Sequence, residues 1–131
     1  MDFLLAYRQQ LLSVLRIVAG LLILQHGTGK YLNFPVAPMN NASPLTAGGA
    51  AGLFELVGGV LVALGLYTRL AAFILSGTMA VAYFYAHAPR GFYPILNQGE
   101  LAVLYCFVFL YLAAAGGGPW SLDRRLRREA V

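Results

Sequence analysis

A chain of 131 residues that is 60% hydrophobic and only 11% charged lies far from the soluble globular norm of about 45–50% apolar and about 25% charged residues. This composition makes it a membrane protein and, at this length, a single domain, residues 1–131. The formal net charge of +4 does not point to nucleic acid: the basic residues concentrate in RRLRR, residues 124–128, directly after the last apolar run, where an anionic lipid surface fits better.

The first apolar segment, about 11–30, LLSVLRIVAGLLILQHGTGK, has the length of a membrane span. It carries Arg16, exceeds the length of a signal-peptide core and lacks a small-residue cleavage site, so it is expected to be retained. Residues 31–46, YLNFPVAPMNNASPLT, hold three prolines, three asparagines and no charge, and are predicted to be a loop. A second span, about 47–66, contains Glu55, Gly58 and Gly59. Only YTR separates it from a third, about 70–88, so these two are predicted antiparallel neighbours. PRGFYP, 89–94, makes the next turn, and a fourth span, about 96–115, ends at GGGPW by the rule that glycine and then proline stop a helix. A basic tail, 119–131, follows. The predicted fold is all-α, an integral membrane four-helix bundle.

Lys and Arg residues set its orientation. Arg8, Arg69, Arg124, Arg125, Arg127 and Arg128 fall on the side of the termini, against Lys30 and Arg90 on the other, so both termini are expected to be cytoplasmic. Tyr83, Phe84, Tyr85, Phe92 and Tyr93 then belong to an outer aromatic belt.

This topology gathers ionisable groups that are distant in sequence. His26, Lys30 and His87 close the outward-running helices, while Glu55 and Glu100 lie in the first half of the inward-running ones. Glu55 is the deepest, about 12 Å below its helix start at about 1.5 Å per residue. His26 and Lys30 are an i, i+4 pair, and Arg16 is expected on their face nearer the cytoplasm. Glu55, Gly58, Gly59 and Val62 share a stripe of the second helix, and Gly48 with Gly52 makes a GxxxG of the kind that packs helices backbone to backbone. A carboxylate near the bilayer centre costs about 2.5–3.5 kcal/mol, which pairing, protonation or access to water must offset. One reading is that Glu55 pairs with Lys30, His26 or Arg16 and fixes helix docking; the other is a polar ligand pocket. The histidines and glutamates lack close HxxxH or ExxH spacing, so no metal site is predicted. Asn97 is a natural N-cap for the fourth helix, and Cys106 reads as a small core residue that has no partner for a disulfide or CxxC pair. No nucleophile–base–orienter triad, Walker loop, dinucleotide fingerprint or CxxCH is present.

Arg16 and Gly20, HGTGK at 26–30, ELVGGVLVALGLYTRLAA at 55–72, NQGELAVLY at 97–105 and GGGPWSLD at 116–123 resemble the DoxX family of small four-helix bacterial membrane proteins. The likeness spans nearly the whole chain. Glu55, Gly58, Gly59, Thr68 and Arg69 match the family's central motif, and Lys30, Asn97 and Glu100 its outer polar positions. The resemblance implies a multi-pass protein of the bacterial inner membrane. Relatives include the membrane subunit of a thiosulfate:quinone oxidoreductase and proteins of complexes handling thiols and oxidative stress; more distant ones act as assembly or cargo factors. With one cysteine and no large soluble domain, an independent thiosulfate or thiol activity is not expected.

The functional expectation is a membrane subunit of a redox complex, at most the quinone-linked part of an oxidoreductase, with an outer-side polar pocket for a quinone or similar lipophilic ligand. His26, Lys30, Glu55, His87, Asn97 and Glu100 are the candidate ligand-binding residues, Glu55 and Glu100 the candidate proton donors or acceptors, and Arg16, Gly58, Gly59 and Arg69 structural. No covalent cofactor is predicted. Expected partners are the lipid bilayer, the proteins of the redox complex and further copies of the chain. The alternative is a non-catalytic scaffold or assembly factor whose buried polar network only locks the helices.

Overall fold

The computed structural model describes residues 1–126; the end of the basic tail, with Arg127 and Arg128, lies outside them. Its elements are α1 (Asp2–Ala6), α2 (Arg8–Tyr31), α3 (Ala47–Leu64), α4 (Thr68–Ala82), α5 (Pro94–Asn97), α6 (Glu100–Ala115) and α7 (Leu122–Arg125), with no strand among the described residues. A π-helical turn, Tyr83–His87, and a 3-10 turn, Ala88–Arg90, prolong α4.

Among the described residues, three helices are long and apolar enough to cross a membrane: Arg8–Tyr31, Ala47–Leu64 and Thr68–Arg90. The fourth apolar segment forms a shorter helix than the sequence suggests. Residues 96 and 97 belong to the separate turn α5, Gln98 takes a left-handed φ of 61°, and α6 starts only at Glu100 and runs for 16 residues. Gly99, not Asn97, is its N-cap residue, and the Asn97 side chain instead accepts a hydrogen bond from the Gly99 amide at 2.8 Å.

Local chemistry fixes the ends of α3. Thr46 Oγ1 accepts from the Gly49 amide at 3.1 Å, satisfying an amide that the helix itself leaves without an acceptor. At the other end Gly65, at φ 71°, takes the left-handed turn that lets its own amide and that of Leu66 reach back to Val62 and Leu61.

Residue order runs oppositely in α2 and α3 along their contact: Gly20 lies against Ala63, Leu24 against Gly59 and Gly27 against Leu56. α4 and α6 form a second antiparallel pair, and α3 and α4 join the two. The consecutive glycines of α3 divide this work, since Gly59 admits the α2 backbone at Leu24 and Gly58 admits Leu75 of α4. The GxxxG expectation does not describe the seam. Gly48 meets nothing, and Gly52 receives the side chains of Lys30 and Tyr31 rather than a helix backbone, because the first turns of α3 have already diverged from α2.

The seam supplies a direct check. A Cβ at Gly27 would stand 2.6 Å from the Leu56 nitrogen, so Gly27→Ala must push two backbones apart, an overpacking cost of about 1–3 kcal/mol. Gly48→Ala meets open space in a helix and should be neutral or stabilising by up to about 1 kcal/mol. Thermal unfolding in detergent should separate the two by several degrees; equal midpoints would refute this seam.

Ile23, Val62, Ala72, Leu75, Phe109 and Leu112 form the centre of the core. Leu21, Val57, Phe73 and Phe107 are each more than half exposed, an apolar exterior suited to lipid. The helices leave one end of the molecule to the 32–46 loop and the turns 88–99, called here the loop end. The other, the termini end, holds α1, the α3–α4 turn and residues 116–126.

Candidate functional site

At the loop end, Lys30 Nζ donates to Glu55 Oε2 at 2.7 Å, and both side chains are at least nine-tenths buried. Gly52 makes this possible: a Cβ there would lie 2.8 Å from Lys30 Cδ, so the lysine stem crosses α3 where no side chain stands. Tyr31 OH donates to the Gly49 carbonyl beside it. His26 is one turn from Lys30 but turns to α6, where its half-buried ring meets Tyr105 edge-on at 6.3 Å.

The remaining loop-end residues form a second group. Asn97 is fully buried; its Nδ2 donates to Gly91 O at 2.9 Å and Tyr83 Oη at 3.3 Å. His87 places Nδ1 3.1 Å from the Asn97 carbonyl and stacks on Tyr83 at 6.4 Å. Glu100 is exposed in the first turn of α6, where a carboxylate favours the positive end of the helix dipole. Among the described residues no hydrogen bond or ion pair joins this group to Lys30 and Glu55.

Beside the second group, between the end of α4 and α6, lies an apolar cavity of about 510 Å³ lined by Ala80, Tyr83, Phe84, Phe92, Cys106 and Phe107 among others. Phe84, Phe92 and Phe107 are largely exposed, so the cavity opens on the outer surface of the helices. Tyr83 belongs to both the cavity and the Asn97 network. Cys106 lies at its wall, with Ser76 Oγ donating to its carbonyl at 2.8 Å.

A polar centre that the sequence reading missed occupies the termini end. Arg16 is fully buried and does not reach Glu55; its guanidinium donates to Gly117 O at 2.8 Å, Val62 O at 2.7 Å, Trp120 O at 2.9 Å and Ala63 O. Asp123, also buried, accepts from the Tyr67 amide at 2.7 Å and the Thr68 amide at 2.8 Å, so a residue 55 positions away caps the start of α4. Ser13 Oγ accepts from the Trp120 amide at 3.2 Å, and Ser121 Oγ accepts from Arg124 N at 3.3 Å as the cap of α7. Arg69 donates to the last carbonyls of α6, Ala113 and Ala114. The cue for this centre was the GGGPWSLD run: glycines for a tight return, then a serine and an aspartate of capping type.

The model of the DoxX family matches residues 11–88. The chain belongs to the DoxX family. As a DoxX protein it is a membrane protein, and the matched stretch carries α2, α3 and α4 with Arg16, Lys30, Glu55, Gly58, Gly59 and Arg69. It is 45% identical over 130 residues to an uncharacterized protein of Haemophilus influenzae, covering 94% of this chain and 96% of that one. It is also 36% identical over 92 residues to an uncharacterized membrane protein of Mycobacterium tuberculosis, covering 61% of this chain and 55% of the relative. No solved structure matches the chain.

Proposed function

We propose that this DoxX protein is a membrane subunit of a redox complex that binds a quinone or similar lipophilic ligand in the loop-end cavity between α4 and α6. The observation that carries this reading is the cavity itself: about 510 Å³, aromatic, open on the apolar exterior, with one phenol at its polar edge. A flat ring with a polar head suits that lining. Phe84, Phe92 and Phe107 would hold the ring and tail, and Tyr83 OH, already in contact with Asn97, would meet the head group. Bound quinone supplies an acceptor for two electrons and two protons. His87 is not a lining residue; stacked on Tyr83 with Nδ1 beside the Asn97 carbonyl, it would take part in that exchange only by way of Tyr83. Lys30 and Glu55 line neither this cavity nor the one at the termini end; in this reading they brace the loop end.

The wider setting of the proposal is a single four-helix domain in the bacterial inner membrane with both termini cytoplasmic, joined to redox partner proteins and to further copies of itself. α6, at 16 residues, spans about 24 Å, and the α5 turn and the 116–120 segment extend that chain segment at either end. Titration of the purified protein with a short-chain quinone analogue tests the reading. Saturable binding is expected, weakened roughly five-fold by Tyr83→Phe, the equivalent of about one hydrogen bond. A wild-type protein that neither retains quinone from membranes nor binds the analogue would refute it.

The scaffold reading has its own observation, the direct Lys30–Glu55 pair. It makes the polar network purely structural and requires the cavity to stay without a specific ligand.

A further inference from the structure

One side chain fixes the direction of hydrogen bonding at the wall of the α4–α6 cavity. Asn97 is fully buried, and both polar atoms of its side chain are committed. Oδ1 accepts from the Gly99 amide at 2.8 Å, so the other end is the NH2 group, whose two hydrogens go to Gly91 O at 2.9 Å and Tyr83 Oη at 3.3 Å. Tyr83 therefore receives a hydrogen bond from Asn97 and keeps its own hydrogen to give. Among the described residues the acceptor for that hydrogen is Phe92 O at 3.5 Å, beyond the range of about 2.5–3.0 Å in which O–H···O bonds are strong. We infer that Asn97 is a positioning residue that sets Tyr83 as a hydrogen-bond donor to the cavity, so that the cavity selects lipophilic ligands whose head group is a carbonyl over those whose head group is a hydroxyl. The inference rests on the cavity reading above and adds to it the form of the ligand, a quinone over the corresponding quinol.

The surroundings hold this donor in one place. Phe92, whose carbonyl is the near neighbour of the hydroxyl, lines the cavity together with Tyr83 itself, which puts the phenol oxygen at the cavity wall. His87 stacks on the Tyr83 ring at 6.4 Å and Phe84 meets it edge-on at 5.3 Å. Gly99 leaves room for the ring edge, since a Cβ there would stand 2.7 Å from Tyr83 Cε2. Asn97 is tied at its backbone as well, with its carbonyl 3.1 Å from His87 Nδ1. A donor held in this way costs little further ordering when a ligand arrives. A carbonyl oxygen takes its hydrogen and asks for nothing in return. A hydroxyl head group must also place a hydrogen of its own in an apolar lining, where leaving it unbonded is costly. Phe92 O is poorly placed to take it: an oxygen about 2.8 Å from both Tyr83 Oη and Phe92 O would see them roughly 80° apart, narrower than the angle between a hydroxyl's donating and accepting directions.

Full-length protein in detergent is titrated anaerobically with duroquinone and, separately, with duroquinol. The readout is the ratio of the two affinities, which a general loss of stability does not move. Wild type should bind duroquinone more tightly. Tyr83→Phe should weaken duroquinone roughly five-fold, the equivalent of about one hydrogen bond, and leave duroquinol within about two-fold. Asn97→Asp should lower the ratio as far, because a carboxylate only accepts and takes the Tyr83 hydrogen for itself. If Asn97→Asp does not fold, Tyr83→Phe alone decides. An Asn97 that merely braces the turn would, when replaced, weaken both ligands alike, and that result overturns the inference. A wild type that favours duroquinol, or a Tyr83→Phe variant that loses both ligands equally, also overturns it, and each of these results leaves the cavity reading standing. A wild type that binds neither form overturns both together.

Discussion

Replacing Arg16 by methionine should cost the protein about 3–5 kcal/mol, more than any single loss expected at its surface. Methionine keeps the unbranched apolar stem and suits the helix face, but it is shorter than arginine, so the effect combines loss of the guanidinium with the small buried void it leaves. Four carbonyls accept from it: Val62 and Ala63 at the end of α3, Gly117 and Trp120 in the segment after α6. The first two belong to the last turn of α3, where the Val62 carbonyl keeps one partner, the Gly65 amide at 3.0 Å, and none of the four would be reached by methionine. Bonds between neutral groups in membranes average only about 0.6 kcal/mol, while those to charged groups are worth about 1.5–3 kcal/mol; the sum is held down by relaxation of the 116–121 segment. Arg16→Lys should fall between wild type and methionine, since an ammonium carries the charge but cannot span carbonyls from two elements with a planar fork. Resistance to denaturing detergent, followed by intrinsic fluorescence of Trp120, reads both variants. A methionine variant as stable as wild type would show that the four carbonyls do not need the guanidinium.

Arg16 also marks the boundary of what the sequence reveals. Its burial in an apolar helix is legible, because a charge in a span must turn inward. Its partners are not: they are carbonyls, which any residue possesses, and they come from a segment that hydropathy describes only as a helix stop. The same holds for Asp123, which looks like a solvated acid in a basic tail and instead caps α4 from 55 residues away. Lys30 and Glu55 were more legible, since antiparallel helices joined by one loop bring their facing ends together and the glycines of α3 show where a long side chain can cross. What spacing could not separate was the loop end itself. His26 and Lys30 share a helical period, yet one meets α6 and the other α3, because a helix packed between two neighbours presents adjacent edges of one face to different partners. Gln98 shortened the fourth helix by a left-handed residue that no apolar pattern signals.

Glu55→Met should be the other severe variant, destabilising by about 3–5 kcal/mol because it leaves Lys30 charged and buried without its carboxylate. Lys30 lies in the last turn of α2, so part of that cost can be relieved if its flexible stem carries the ammonium toward the loop end. Lys30→Met should also destabilise, since it leaves the Glu55 carboxylate buried without its partner. The double variant Lys30→Met/Glu55→Met removes both charges and fills the space with apolar atoms. It should recover most of the loss and can match or exceed wild type, as replaced buried pairs do. A double-mutant cycle on thermal unfolding in detergent therefore should give a coupling of about 2 kcal/mol or more, and additive losses would mean that the pair does not bind as the 2.7 Å contact implies. The same double variant separates the functional readings. With the ligand seated among Tyr83, Phe84, Phe92 and Phe107, a refolded brace of two methionines should leave affinity for a short-chain quinone analogue within about two-fold of wild type. A variant that is fully stable but no longer binds the analogue would move the ligand to Glu55 and Lys30 and away from the α4–α6 cavity. A variant that is fully stable, from a wild type that never bound the analogue, would leave the pair as what the scaffold reading makes it, a lock between α2 and α3.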